Sequence, residues 1–311
     1  ALAEVYENMK KYVDYMASMA DGYIVDFGLG DWCPPVGGAD GHKCPSTVTD
    51  TAYFYIDSQI VSKTAALFGK KEDEEKYGEL AGKVRDAFRA SFLDTETGAV
   101  AGNCQTSMAC ALYQGMVNDG EKQRVFEKLV EQVELHDRHV DCGILGAKYM
   151  LHTLSEMGRT DLAYAIATQT TFPGWGYWIA QGATTLWETF AGDSSRNHHM
   201  FSDISAWFYK GLAGINPDPE EPGFRHIIIK PNPVKGLDWV NAKHRSVYGD
   251  IICNWKTDNG RFTLDITVPV NCRATVVLPS GYTKNAKVDG KEAGDKAILE
   301  LGSGKYCVAS E

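Results

Sequence analysis

The chain has no Cys-x-x-Cys pair, no Walker phosphate loop, no Gly-x-Ser-x-Gly elbow and no His-Glu-x-x-His segment. Those absences remove the common signatures of thiol-metal, nucleotide, serine-hydrolase and zinc-protease chemistry. No run approaches the roughly 18 uninterrupted apolar residues a membrane-spanning helix needs. The start, Ala1-Leu2-Ala3-Glu4, carries neither an initiator Met nor a signal-peptide core. Ala1 is therefore expected to fall inside a longer natural chain. Basic residues are in deficit: 31 Lys and Arg against 41 Asp and Glu leave a formal charge of -10, which argues against a nucleic-acid backbone as partner. Cysteines 33, 44, 104, 110, 142, 253, 272 and 307 mostly sit in apolar runs, as small hydrophobes do, and are expected to be free thiols. Only Cys33 and Cys44, in one loop, are near enough in sequence to suggest a bridge. His136 and His139 flank Asp137 and Arg138 with no third ligand at recognisable spacing, so no metal or cofactor is expected. No segment fixes the compartment; a cytoplasmic setting is slightly favoured over a periplasmic or secreted one.

What the chain does have is length and periodicity. Its 311 residues, 44% of them hydrophobic, suffice for one large domain and a small one. Residues 4–20 place Val5, Met9, Tyr12, Val13 and Met16 on one helical face. Residues 49–68 carry few charges and predict a buried helix, whereas 72–92 put Tyr77, Leu80, Val84, Phe88 and Phe92 in a single stripe among Glu, Lys and Arg. That alternation of inner and amphipathic outer helices recurs through 106–117, 121–135, 145–157 and 160–168, and 201–212 closes the set. Eight or nine helices with no strand between them imply antiparallel helical hairpins in a two-layered toroid. At Asn216-Pro217-Asp218-Pro219-Glu220-Glu221-Pro222-Gly223 the period switches to alternation, and seven or eight short strands follow, divided by turns such as Asp258-Asn259-Gly260. The expected domains are 1–218, helical, and 219–311, an antiparallel β-sandwich of jelly-roll type.

Chemistry concentrates in the loops. Gln181 to Arg196, followed by Asn197-His198-His199, places the carboxylate of Glu188 directly after Trp187 and ten positions before a histidine pair. Aromatic, acid and imidazole are what a sugar-cleaving pocket uses: a ring face stacks on a pyranose, a carboxylate activates water, an imidazole binds hydroxyls. The competing reading makes Glu188 an acid paired with Arg196 or a cap for the helix near Phe201, and makes His198 and His199 fillers of that helix's first turn. Gly30-Asp31-Trp32 offers a carboxylate beside an indole, and Pro173-Gly174-Trp175-Gly176-Tyr177-Trp178 is too aromatic to be all core. The bland role for Trp32 is a core anchor.

As an ordered set, Gly-Asp-Trp at 30–32, Cys-Gln-Thr at 104–106, Gly-Ile-Leu-Gly-Ala-Lys-Tyr-Met-Leu at 143–151, Pro-Gly-Trp-Gly-Tyr at 173–177, Gly-Ala-Thr-Thr-Leu-Trp-Glu at 182–188 and Asn-His at 197–198 resemble the α-L-rhamnosidases of glycoside hydrolase family 78. The resemblance covers nearly the whole chain. It implies an (α/α)6 barrel followed by a β-sandwich, and hydrolysis of terminal α-L-rhamnose with inversion. It also implies Glu188 as general base, with Trp32 and Trp175 lining the rhamnose subsite and His198 contacting the sugar; Asp31 and Trp187, beside these residues in sequence, are further candidates for binding the sugar. The family's general acid lies in a segment upstream of everything present here, with no equivalent in the chain. Eight or nine helices also fall short of the twelve that close such a barrel. The expectation is a fragment with an incomplete barrel, inactive or nearly so alone, with an apolar flank that invites self-association. The other readings are a toroid-fold polysaccharide lyase or epimerase, told apart by an unsaturated uronate product, and a non-catalytic carbohydrate-binding protein.

Overall fold

The computed structural model describes residues 1–36 and 43–310; residues 37–42 of the long loop 21–47 lie outside the described residues. The chain forms two compact units, one made of Ala1–Thr153 and Ala165–Phe201, the other of Leu154–Tyr164 and Ser202–Glu311. The proline-rich stretch at 216–223 lies within the second unit.

In the first unit, α1 (Leu2–Met19), α2 (Ser46–Leu67) and α3 (Lys71–Phe92) pack in succession. α2 is apolar and small along most of its length, so it buries residues on several faces, among them Val48, Ala52, Phe54, Val61 and Ala65. Its buried hydroxyls bond back along the helix: Ser58 donates to the Phe54 carbonyl at 2.7 Å and Thr49 to that of Ser46 at 3.0 Å. α3 instead buries one stripe, Tyr77, Ala81, Val84 and Phe88, and carries Glu72, Asp73 and Glu74 in its first turn, where the helix dipole favours them. α4 (Gln105–Tyr113) is nearly all buried, and α5 (Asp119–Leu135) is amphipathic and opened by a capping box in which the Asn118 amide donates to Glu121 at 2.8 Å. α6 (Ile144–Glu156) and α7 (Thr160–Ala167) follow, the last turn of α6 and most of α7 being counted in the second unit, and α8 (Trp175–Ala180) belongs again to the first. Six residues of the region read from sequence as the loop 170–200 are thus helical.

α1 departs from its expected face. It buries Tyr6, Val13 and Met16, leaving Val5 and Tyr12 exposed. Tyr6 is drawn inward because its hydroxyl reaches Asp73 at 2.8 Å while its ring meets Phe68 edge-on, which a Val at position 5 could not do. Among the described residues there are nine α-helices and no closed barrel.

The second unit contains α9 (Asp203–Trp207), a π-helical turn (Phe208–Ala213) and ten strands. β1 (Ile215–Pro217), β2 (His226–Ile229), β6 (Arg273–Val277) and β9 (Ile298–Leu301) form a four-stranded sheet in the order β1-β2-β6-β9. β3 (Trp239–Ser246), β4 (Gly249–Asp258), β5 (Arg261–Val268), β7 (Ala286–Val288), β8 (Lys291–Gly294) and β10 (Gly304–Ser310) form a six-stranded one in the order β3-β4-β5-β10-β7-β8. Both sheets contribute to one core, with Ile227, Ile229 and Val276 from the first and Trp255, Leu264 and Val308 from the second. The alternation of β5, buried at Phe262, Leu264, Ile266 and Val268, is the pattern read from sequence. One pair breaks the expected antiparallel rule: β2 and β6 run parallel, with His226 opposite Arg273. The chain between them crosses through the other sheet, a connection that parallel neighbours require.

Candidate active site

Glu188 sits on an irregular hairpin. The His198 amide donates to the Leu186 carbonyl at 2.9 Å, and the Glu188 amide donates to the Ser195 carbonyl at 2.9 Å. Between these rungs Thr189 donates its hydroxyl to Asp193 at 2.6 Å, and the tip folds down onto Trp187. The fold-down requires glycine: Gly192 has φ +70, and a Cβ there would lie 2.4 Å from Cζ3 of the indole. Arg196 lies 4.7 Å over the same ring and donates Nε to the Gly192 carbonyl at 3.0 Å.

The Glu188 carboxylate accepts the Ser194 hydroxyl at 2.6 Å and the Ser195 amide at 3.2 Å, both on Oε2. Those bonds, first the hydroxyl and then the amide, hold the carboxyl below its ordinary range. His198 stacks flat on His199, rings 5.2 Å apart, and its Nδ1 accepts the Met200 amide at 3.3 Å. A neutral imidazole accepting at Nδ1 carries its proton on Nε2, so the ring presents a donor.

Cys33, in the Gly30-to-Pro35 segment, feels the charges of this hairpin. Burial pushes the Cys33 thiol up, and the charges of Glu188 and Asp193 push it further, so that thiol lies within their field. Trp32 is half-buried. Asp31 is 3% exposed and accepts the amides of Gly143 at 2.7 Å, Leu145 at 3.0 Å and Gly146 at 2.9 Å, together with the Thr106 hydroxyl. The Trp32 carbonyl takes the remaining amide, that of Ile144, at 2.9 Å. A helix leaves its first four N–H groups without intrahelical acceptors; at the start of α6 all four are received by Asp31 and Trp32. Burial raises the Asp31 carboxyl, opposed by these donors.

Glu188 and His198 thus share one hairpin, and Cys33, next to Trp32, lies within the field of Glu188, while three residues expected at the sugar are buried. Stacking on a pyranose needs an open ring face, and Trp175 and Trp187 are each 5% exposed. Trp175 donates Nε1 to the Phe201 carbonyl at 3.1 Å and meets Phe190 edge-on. Trp187 is the floor of the hairpin. Asp31 is committed to α6. Sequence reasoning missed Ser194 and Ser195, whose one signal was a Gly-Asp-Ser-Ser turn soon after the acid.

Cys33 and Cys44 are both free thiols, and Cys44 hydrogen-bonds instead with Cys104. Among the described residues the His, Cys, Asp or Glu group that could hold a metal is Asp218, Glu221 and His226, with ligand atoms within 4.8 Å of one another. Arg273 already supplies positive charge there: it pairs with Glu221 and approaches His226 Nδ1 at 3.4 Å, while Asp218 bonds the same ring nitrogen at 2.6 Å. The cluster is an ion-pair network on the four-stranded sheet.

Two family profiles match. That of the bacterial α-L-rhamnosidase six-hairpin glycosidase domain covers residues 1–212, and that of the bacterial α-L-rhamnosidase C-terminal domain covers 214–293. An α-L-rhamnosidase of an Alteromonas strain is 32% identical over 98% of this chain and 35% of its own length; one of Streptomyces avermitilis is 29% identical over 98% and 30%. The structure of an α-L-rhamnosidase from Dictyoglumus thermophilum superposes with a TM-score of 0.92 at 34% identity, over 100% of this chain and 37% of that one. The Streptomyces avermitilis α-L-rhamnosidase complexed with L-rhamnose gives 0.90 at 28%, over 100% and 31%. The chain spans about a third of the length of the curated relatives it matches.

Proposed function

Because the chain belongs to the bacterial α-L-rhamnosidase family, we propose that it carries the general base and part of the sugar pocket of an inverting hydrolase that releases terminal α-L-rhamnose. The observation that carries this reading is the state of Glu188: solvent-accessible, held ionised by Ser194 and Ser195, and beside a histidine that presents a donor. A carboxylate so held takes a proton from water as the water attacks the anomeric carbon. Trp32 stacks on the ring, the Nε2 proton of His198 binds a sugar hydroxyl, and Asp31 positions Trp32 by pinning its segment to α6.

An inverting reaction also needs an acid on the opposite face of the sugar, roughly 6.5 to 9.5 Å from the base. Among the described residues, burial raises the carboxyls of Asp31 and Asp57, yet one is committed to α6 and the other sits on α2, and neither figures in the electrostatics of Glu188. Among the described residues no carboxylate is placed as that acid, and this reading draws it from the part of the family's length that the chain does not cover. Taken alone, the chain associates with itself through the exposed apolar face of α1, which includes Leu2, Val5, Tyr12, Tyr15 and Met19.

The test is p-nitrophenyl α-L-rhamnoside hydrolysis by the protein that contains this chain, with the anomer followed by proton NMR. The expected first product is β-L-rhamnose, and Glu188→Gln lowers kcat by roughly a hundred- to ten-thousand-fold. An α first product, or a Glu188→Gln variant of unchanged rate, overturns the reading. Nitrophenol release by this chain alone, abolished in Glu188→Gln, overturns the claim that the acid comes from elsewhere.

A further inference from the structure

The two oxygens of Glu188 are not equivalent. Among the described residues, every hydrogen bond to this carboxylate lands on Oε2: the Ser194 hydroxyl at 2.6 Å and the Ser195 amide at 3.2 Å. Both donors come from a tip whose shape is fixed independently of the acid. The Ser195 carbonyl is held by the Glu188 amide at 2.9 Å, Asp193 is held by Thr189 at 2.6 Å, and Gly192 is seated against the Trp187 indole. The donors are therefore in place before any substrate arrives.

We propose that Ser194 is a positioning residue that locks Oε2 of Glu188 to the hairpin tip, so that Oε1 is the atom that takes the proton from the attacking water. This rests on the reading of Glu188 as general base. A Glu side chain has three rotatable bonds, and a base on the surface of a loop would otherwise sample several rotamers, most of them out of reach of the water. Anchoring one oxygen removes that freedom and leaves the other oxygen's lone pairs directed away from the tip. During attack the proton leaves water for Oε1 and the carboxylate becomes a neutral acid, while the hydroxyl oxygen forms the new bond to the anomeric carbon as the glycosidic bond on the opposite face breaks and its electron pair leaves with the departing oxygen, which takes its proton from the general acid. The charge lost from Glu188 weakens its bonds to Ser194 and Ser195, so the same contact that aims the base also keeps it ionised until reaction. Ser195, which contributes a backbone amide, is indifferent to side-chain change at its own position in this role.

The experiment uses Ser194→Ala and Ser194→Thr in the protein that contains this chain, with two readouts. Carbon-13 NMR of glutamate-labelled protein, with the resonance identified by its loss in Glu188→Gln, gives the titration midpoint of Glu188; steady-state kinetics on p-nitrophenyl α-L-rhamnoside gives kcat and KM. The expected result for Ser194→Ala is a midpoint moved up towards the ordinary glutamate value, with kcat down on the order of tenfold and KM unchanged. Ser194→Thr restores both. An unchanged midpoint in Ser194→Ala overturns the inference. A midpoint that moves while kcat stands still overturns it as well, and places the fault in the assignment of Glu188 as base. Ser194 is exposed, so the urea midpoint of the alanine variant matches wild type and separates a local effect from loss of fold.

Discussion

Asp31 grips both ends of the first turn of α6, one carboxylate oxygen taking the Gly143 amide at 2.7 Å and the other the Gly146 amide at 2.9 Å. Replacing it strands buried donors. Asp31→Ala is expected to lower the unfolding free energy by on the order of 3 kcal/mol. Urea titration followed by circular dichroism measures this, and a loss under about 0.5 kcal/mol, the range of ordinary surface substitutions, would show the grip to be dispensable.

Gly192 faces the Trp187 ring with no room for a methyl group. Gly192→Ala is expected to lift the hairpin off its floor, costing about 1–3 kcal/mol, and to shift tryptophan emission to the red as water reaches the indole. An alanine variant with wild-type emission and urea midpoint would mean that the tip adjusts freely.

Glu188 is depressed below the ordinary glutamate value, chiefly by the Ser194 hydroxyl. In the proposed role of base Glu188 works in its ionised form, and a lowered pKa keeps it ionised to lower pH. As pH falls, kcat/KM of the enzyme is therefore expected to hold level through about 4.3, the ordinary glutamate value, and to drop only below it. An acid limb centred above that value speaks against this assignment of the limb.

Acid should also loosen α1 from α3. Asp73 takes the Tyr6 hydroxyl at 2.8 Å and the Lys10 ammonium at 3.0 Å, and its carboxyl is lowered by those bonds in that order. A group depressed in the folded state stabilises above its unfolded pKa, about 3.9 for Asp, and that contribution is lost as pH falls through the lower folded value. The urea midpoints of wild type and Asp73→Asn should therefore differ at pH 6 and converge by about pH 2. A gap that persists at pH 2 would assign the difference to packing rather than charge.

Cys307 is exposed and the other seven cysteines are buried free thiols. Ellman's reagent should titrate about one thiol in native protein and all eight in denaturant without reductant. Two thiols missing in denaturant would reveal a bridge, and peptide mapping would decide between Cys33–Cys44 and Cys44–Cys104.

How far the sequence reveals this molecule depends on where the partner of each residue lies. α3 is readable because its outer face is charged and its inner stripe is not, so the periodicity states the burial. α1 is not, because Tyr6 and Tyr12 look alike in sequence and only the position of Asp73 decides which turns inward. The strands of the second unit follow their alternation, but the parallel pairing of β2 with β6 is a matter of strand order, which no single strand encodes. Among the site residues, Glu188 and His198 stand out by their chemistry. The role of Asp31 does not, since its acceptors serve backbone amides 112, 114 and 115 positions away, and an amide leaves no mark in a sequence. In hindsight a signal was there: α6 opens on Gly143 without a Ser, Thr, Asp or Asn cap of its own, so its first turn had to be satisfied from elsewhere.

β10 bears on how the molecule is made. It is the last strand in sequence, yet it lies inside its sheet, bonded to β5 on one side and β7 on the other. During translation the β3-β4-β5 meander and the β7-β8 hairpin emerge first and must wait as separate pieces, each with an unpaired edge, until Gly304–Ser310 clears the ribosome and zips them together. Nascent chains stalled before that point should remain open to protease, and deletion of Gly304–Ser310 would cost the whole sheet rather than its fringe.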